Sequence, residues 1–244
     1  MVSLAVTVGA RSIVRDGGDP RLGVAVALIF LTVSAAGVAI LFASLQGRPT
    51  AADFGLRRPP LLRATGLVIA VWGAVIALTI AWLVAFGIDD SPSVTDRLVA
   101  DSGTLNALLV FVLVAVATPL GEEFLFRGYL FRALINWRGV WPAAIISSVV
   151  FSATHIGWSP VVVLVPAVIF GLGACALYRW TGSLYPALAL HALFNCVGLG
   201  LGLGWTWQLP VAMVLSVAAT CALARLIAVL LGPTRVRPKE PRAG

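Results

Sequence analysis

Charge is what this sequence has least of. Asp, Glu, Lys and Arg make up 11% of the 244 residues, where a soluble domain carries about a quarter. Lysine occurs once, at Lys239, and histidine twice, at His155 and His191. The three cysteines, Cys175, Cys196 and Cys221, all fall in apolar runs, where they read as small packing residues and imply no disulfide. The chain has no internal repeat and no low-complexity tract. With 60% hydrophobic residues and a mean hydropathy of +1.00, the apolar excess is too large for one soluble core and requires lipid.

What is present is a series of long apolar runs. A helix needs about 20 mostly apolar residues to cross the hydrocarbon core. Leu22–Leu45 and Gly66–Phe86 carry no charge, and Leu105–Leu120 runs unbroken into Gly121, Glu122 and Glu123. Trp141–Ile156 is shorter; Val161–Tyr178 follows a turn at Gly157–Pro160, and Leu184–Leu203 and Val211–Leu231 complete the set. The expected fold is an all-α, polytopic transmembrane bundle of about seven spans. Its expected divisions are residues 1–100 with two spans, a four-helix core over 101–203, and a last span with a basic tail over 204–244. Residues Met1–Val14 are mildly apolar and fit an interfacial position, and the lack of a basic leader before an apolar run argues against a cleaved signal peptide.

The net charge of +7 does not mark a nucleic-acid binder, because the basic residues lie in short loops beside spans, where they set orientation. Arg48, Arg57, Arg58 and Arg63 mark the first loop as cytoplasmic; Asp89, Asp90, Asp96 and Asp101, against Arg97 alone, mark the second as exterior. Arg132 and Arg138, Arg179 and the tail after Leu231 then fall inside, giving an outer N-terminus and a cytoplasmic C-terminus in the cell membrane, with Arg11, Arg15 and Arg21 standing against it. The expected partners are membrane lipid and a peptide or protein substrate entering from the membrane.

Ionisable groups inside spans cost about 2.5–3.5 kcal/mol each on insertion scales and by default mark function. They are Glu122, Glu123 and Arg127 in the third helix, His155 at the end of the fourth and His191 in the sixth, with Asn195 one turn beyond His191 on the same face. Arg225 in the last span is expected to snorkel to the inner surface. Glu122 lies sixteen residues before Arg138, and His155 sixteen after Gly139. A hairpin turning at 136–142 with equal rise on both arms sets them level, provided the third helix continues through Arg132. A buried carboxylate with a neighbouring histidine suits a general base acting on water. A second histidine and an amide suit oxyanion stabilisation. Interhelical hydrogen-bonding glue or an ion pathway competes evenly with catalysis on spacing alone, and Glu123 with Arg127 also reads as an ordinary i, i+4 ion pair.

Three segments in order, Glu122-Glu123-Phe124-Leu125-Phe126-Arg127, Phe151-Ser152-Ala153-Thr154-His155 and His191-Ala192-Leu193-Phe194-Asn195, resemble the EExxxR, FxxxH and HxxxN signatures of one family. This is the type II CAAX prenyl endopeptidase and bacteriocin-processing (Abi, CPBP) family of intramembrane glutamic endopeptidases. The resemblance covers residues 101–203; the first two spans and the last carry no signature. It implies Glu122 as the base that activates water, His155 as its partner, His191 and Asn195 as the oxyanion pair, and Glu123 and Arg127 as supporting residues.

The family resemblance implies no cofactor. A zinc site at Glu122, His155 and His191 is the competing chemical reading; the sequence weighs against it with no HExxH pair and no spare carboxylate to support both histidines. Ser147, Ser148 and Ser152 lack the glycine-rich turn of a serine nucleophile, every Asp lies in a loop, and Ser159, Thr181 and Ser183 read as turn and cap residues. The alternative to an endopeptidase is a non-proteolytic membrane scaffold or bacteriocin self-immunity protein; a solute transporter ranks last, as the two halves show no matching broken helices. The arginine-over-lysine bias points to a GC-rich bacterium and so to a peptide, bacteriocin or membrane-protein substrate rather than a prenylated one.

Overall fold

The computed structural model describes residues 20–45, 47–87, 103–156 and 161–232. The second loop with its aspartates, the Gly157–Pro160 turn, the basic tail and the stretch Met1–Val14 lie outside them. The described chain is a bundle of helices: α1 (Pro20–Ser44), α2 (Leu61–Ala85), α3 (Gly103–Val112 continuing without a break to Arg132–Arg138), α4 (Val140–Ala153), α5 (Leu164–Thr181), α6 (Tyr185–Gly202) and α7 (Gln208–Leu231). No strand occurs among the described residues.

Six of these helices are long and apolar enough to cross a membrane, and α4 is not. Its 14 residues rise about 21 Å, short of the roughly 30 Å hydrocarbon core. The expected bundle of about seven spans is thus six spans and one shorter apolar helix among the described residues. The run expected over Val161–Tyr178 also shifts, because Val161–Val163 form a 3-10 turn and the α-helix runs Leu164–Thr181.

α3 sits at the centre and is the most buried span; α1, α4, α5, α6 and α7 all pack on it, while α2 lies outside against α5 and α6. The hairpin joining α3 to α4 turns on Gly139 alone, at φ 81°, a left-handed position that only glycine adopts without strain. Pro142 falls in the first turn of α4, where its missing N–H costs no helical bond. Phe126 and Phe151 meet across the hairpin edge to face, centroids 5.2 Å apart, and this pair obeys the equal-rise register that sets Glu122 level with His155.

The loop between α1 and α2 folds back into one end of the bundle. Asp53 Oδ2 accepts from the backbone N–H and hydroxyl of Thr50, both at 2.8 Å, and ties off the 3-10 turn Ala51–Phe54. Phe54 is fully buried against Phe124, centroids 5.2 Å apart. Arg132 Nη1 donates to Ala52 O at 3.2 Å, Leu184 N to Gly55 O at 2.8 Å and Ser183 Oγ to Arg57 O at 2.7 Å. The loop, the end of α3, the α5–α6 turn and the end of α7 thus share one face, which gathers Arg48, Arg57, Arg58, Arg63, Arg132, Arg138 and Arg179.

Helices α1 and α3 touch backbone to backbone at Gly121, where an added Cβ would lie 2.5 Å from Thr32 O and 2.9 Å from Thr32 Cα. Gly121→Ala is expected to force the helices apart and cost about 1–3 kcal/mol, seen as a lowered Tm in detergent. Gly37→Ala on α1, whose Cβ would meet nothing within 4 Å, is the control and should leave Tm unchanged.

Candidate active site

The central helix departs from regular α geometry on both sides of the two glutamates. Wide i→i−5 turns at Leu113–Ala117 and Phe124–Phe131 bracket the regular segment Thr118–Glu123, all six of whose residues are buried. Such turns are rare and concentrate at functional sites. The first has a legible cause in Pro119, which has no N–H to give the preceding turn. Thr118 Oγ1 donates to Leu113 O at 3.0 Å. The next carbonyl, Val114 O, which a wide turn would offer to residue 119, instead accepts from Asn195 Nδ2 at 2.8 Å. One of Asn195's two amide hydrogens therefore holds the helix that carries the glutamates.

Glu123 is the junction of the site. Its Oε1 accepts from Arg127 Nη1 and from His191 Nδ1, each at 2.8 Å, with Glu123 and Arg127 wholly buried. Arginine stays charged and needs an ionised partner at this depth, so Glu123 Oε1 is an acceptor and His191 Nδ1 carries the hydrogen. The other ring nitrogen, Nε2, then faces Glu122 Oε2 at 3.5 Å. That oxygen is buried and has no hydrogen-bond partner. Two carboxylates and one guanidinium leave a single negative charge, which His191 closes when it is an imidazolium.

Arg127 is also held by α4 and α5. Nη2 donates to Gly171 O at 3.2 Å, and the guanidinium carbon lies 4.8 Å and 5.5 Å from the ring centroids of Phe151 and Phe170. The carbonyl is within reach because α4 and α5 touch there; a Cβ on Gly171 would lie 2.7 Å from Ser148 Cβ. His155 sits in the turn just beyond α4, its Nδ1 3.2 Å from Phe151 O and 3.3 Å from Thr154 Oγ1. Its ring packs on Phe151 at 5.0 Å, and the same phenyl ring lies 5.9 Å from His191. Phe151 thereby touches Arg127, His155 and His191 together, whereas the direct contact of Glu122 among the described residues is to His191.

The structure thus brings Glu122, Glu123, Arg127 and His191 into one cluster, sets His155 beside it through Phe151, and turns Asn195 onto Val114. Glu123 does more than the i, i+4 pair read from spacing, since it also orients His191. Among the described residues no group of three His, Cys, Asp or Glu side chains is placed as it stands to hold a metal. Ser147, Ser148 and Ser152 spend their hydroxyls on the carbonyls of Phe126, Ala144 and Leu164. Thr181 and Ser183 bond within and around the α5–α6 turn, as turn residues do; Ser159 lies outside the described residues.

Residues 104–197, which hold all of these groups, match the family model of the type II CAAX prenyl endopeptidase Rce1-like proteins. This segment is similar to the Rce1-like family. Over 107 residues the chain is 33% identical to a protein of Escherichia coli described as an uncharacterized 24.3 kDa protein. The match covers 42% of this chain and 48% of that protein, so the chain spans about half the length of the curated relative it matches. No solved structure matches the chain. The matched segment includes α4, which is shorter than a membrane span and ends at Ala153. The exposed end is closed locally, Phe151 O accepting from Thr154 N at 3.1 Å and Thr154 Oγ1 at 2.7 Å.

Because Arg127 and Glu123 are both wholly buried and paired, Arg127→Leu strands Glu123 as an uncompensated buried charge. The expected loss is about 3–5 kcal/mol, read from unfolding in detergent. A loss below about 1 kcal/mol, the range of an exposed pair, would contradict the burial described.

Proposed function

We propose that the chain is an intramembrane endopeptidase that hydrolyses a peptide bond in a membrane-associated protein or peptide. One observation carries the reading: the Glu122 carboxylate presents a buried oxygen with no hydrogen-bond partner, 3.5 Å from an imidazole that Glu123 holds by its far side. A base poised in this way, beside an aligned second group, is what water activation requires.

In the proposed reaction a water molecule sits between Glu122 and His155. Glu122 removes its proton, and the hydroxide oxygen bonds to the scissile carbonyl carbon. The carbonyl becomes a tetrahedral oxyanion, which accepts from His191 Nε2–H and from the second amide hydrogen of Asn195. Glu123 stabilises the doubly protonated imidazole from Nδ1. The oxyanion then collapses, the C–N bond breaks, and the proton on Glu122 passes to the departing amine, leaving a free amine and a carboxylic acid that ionises on release to water. No covalent enzyme intermediate forms, and the reaction as written uses no metal. The match of residues 104–197 to an endopeptidase family supports it. In this reading the arginine-bearing end faces the cytoplasm by the positive-inside bias.

Comparison of protein termini by mass spectrometry, in membranes expressing equal amounts of the wild-type chain or Glu122→Gln, tests the proposal. New termini should appear with the wild type and vanish with the variant, while the variant's Tm in detergent stays within a few degrees of wild type. Termini that persist with Glu122→Gln overturn the mechanism. If none depends on Glu122, the scaffold reading takes over. Exhaustive chelation should leave cleavage intact, and rescue by added zinc would contradict the metal-free reaction.

A further inference from the structure

Helix α2 lies outside residues 104–197 and carries none of the three signatures, yet one of its side chains bonds to the chain where α5 begins. Trp82 Nε1 donates to Val162 O at 3.1 Å. Val162 sits in the 3-10 turn Val161–Val163 that leads into α5. In an unbroken helix its carbonyl would pass to the N–H of residue 166, and Pro166 has none. The indole supplies the donor that the proline withholds. Its ring is steadied in turn by Phe86, centroids 4.1 Å apart.

The docking of α2 has a separate basis. Val71 and Val75 pack against α5 so closely that a Cβ on Gly173 would lie 3.0 Å from a methyl of each. Val75 is also buried, about two turns before Trp82. The indole bond therefore acts locally, on the start of α5. From there the restraint passes to α4. Leu164, the first residue of α5, accepts through its carbonyl from Ser152 Oγ at 2.6 Å. The carbonyl of Ser152 accepts from His155 N at 3.0 Å, and the His155 ring rests on Phe151, centroids 5.0 Å apart. A continuous line of hydrogen bonds and adjoining backbone thus runs from Trp82 through Val162, Leu164 and Ser152 to His155.

We propose that Trp82 is a positioning residue for His155, its indole N–H fixing the start of α5 and thereby the turn that carries the imidazole. The inference rests on the role given above to His155, which holds the attacking water opposite Glu122. Trp82→Phe removes the N–H and keeps an aromatic ring. Trp72→Phe is the control on the same helix, because Trp72 Nε1 is buried and has no hydrogen-bond partner among the described residues.

The chain has two histidines, so isotope labelling of histidine gives two imidazoles to follow by NMR of the full chain in detergent. Trp82→Phe is expected to shift the His155 ring signals and leave those of His191 in place, and Trp72→Phe to move neither. Formation of Glu122-dependent termini should slow by about ten- to a hundredfold in Trp82→Phe, the range that a misplacement of up to about 1 Å gives. An unmoved His155, or an equal shift at His191, overturns the proposal. So does a shifted His155 with cleavage at the wild-type rate. Were the wild type to give no Glu122-dependent terminus, the peptidase reading would fail by itself, and the two ring signals would still decide whether Trp82 holds His155. Should Trp82→Phe fail to fold, Ser152→Ala, which cuts the same line at α4, must shift His155, or the linkage is wrong.

Discussion

The arrangement depends on one charge that the bilayer cannot accommodate. Arg127 is wholly buried in a helix bundle built for lipid. Its guanidinium has to be met within the protein, by a carboxylate, a carbonyl and aromatic faces. The demands recruit three elements: Glu123 one turn earlier on α3, Phe151 on α4, and the Gly171 carbonyl and Phe170 on α5. Meeting that charge fixes α3 against α4 and α5. The same Glu123 oxygen that meets Arg127 also orients His191 on α6, and His191 in turn faces Glu122. The ion pair is thus the base on which the candidate catalytic groups are aligned.

The same logic governs the backbone. Irregular helix at membrane depth must find partners for its polar groups, and α3 is irregular twice. Pro119 removes a donor, and Asn195 on α6 supplies one to Val114. The short α4 ends where a full span would continue, and Thr154 closes on Phe151 O. These repairs lie next to the groups with candidate chemistry, as expected if a wide turn is kept because it aims side chains that a regular helix would misplace. Small residues permit the contacts: Gly121 against α1 and Gly171 against α4 have no room for a Cβ.

Much of this was legible in order. The apolar runs marked the helices, although residue count overstated Trp141–Ile156, since hydropathy is blind to where a helix stops. Counting from Gly139 set Glu122 level with His155, and the Phe126–Phe151 pair follows that register. The i, i+4 spacing of His191 and Asn195 put both on the face that meets α3, where both now contact it. Less visible was the second task of Glu123, because spacing shows the neighbour on the same helix and not the one across the bundle. Pro119 was a readable sign of a broken turn inside a span; its partner on α6 was not.

The sequence by itself determined that the chain is helical and membrane-bound, which residues are too polar for lipid, and that they recur in three ordered segments. Those properties follow from local composition and from helical periodicity. Only the tertiary structure decided which nitrogen of His191 faces which glutamate, that Asn195 spends an amide hydrogen on Val114, and that Phe151 touches Arg127, His155 and His191 together. Each of these joins residues far apart in the chain by a few ångströms. Such distances are set by how helices pack and where small residues let them approach, and no run of neighbouring residues encodes that alone.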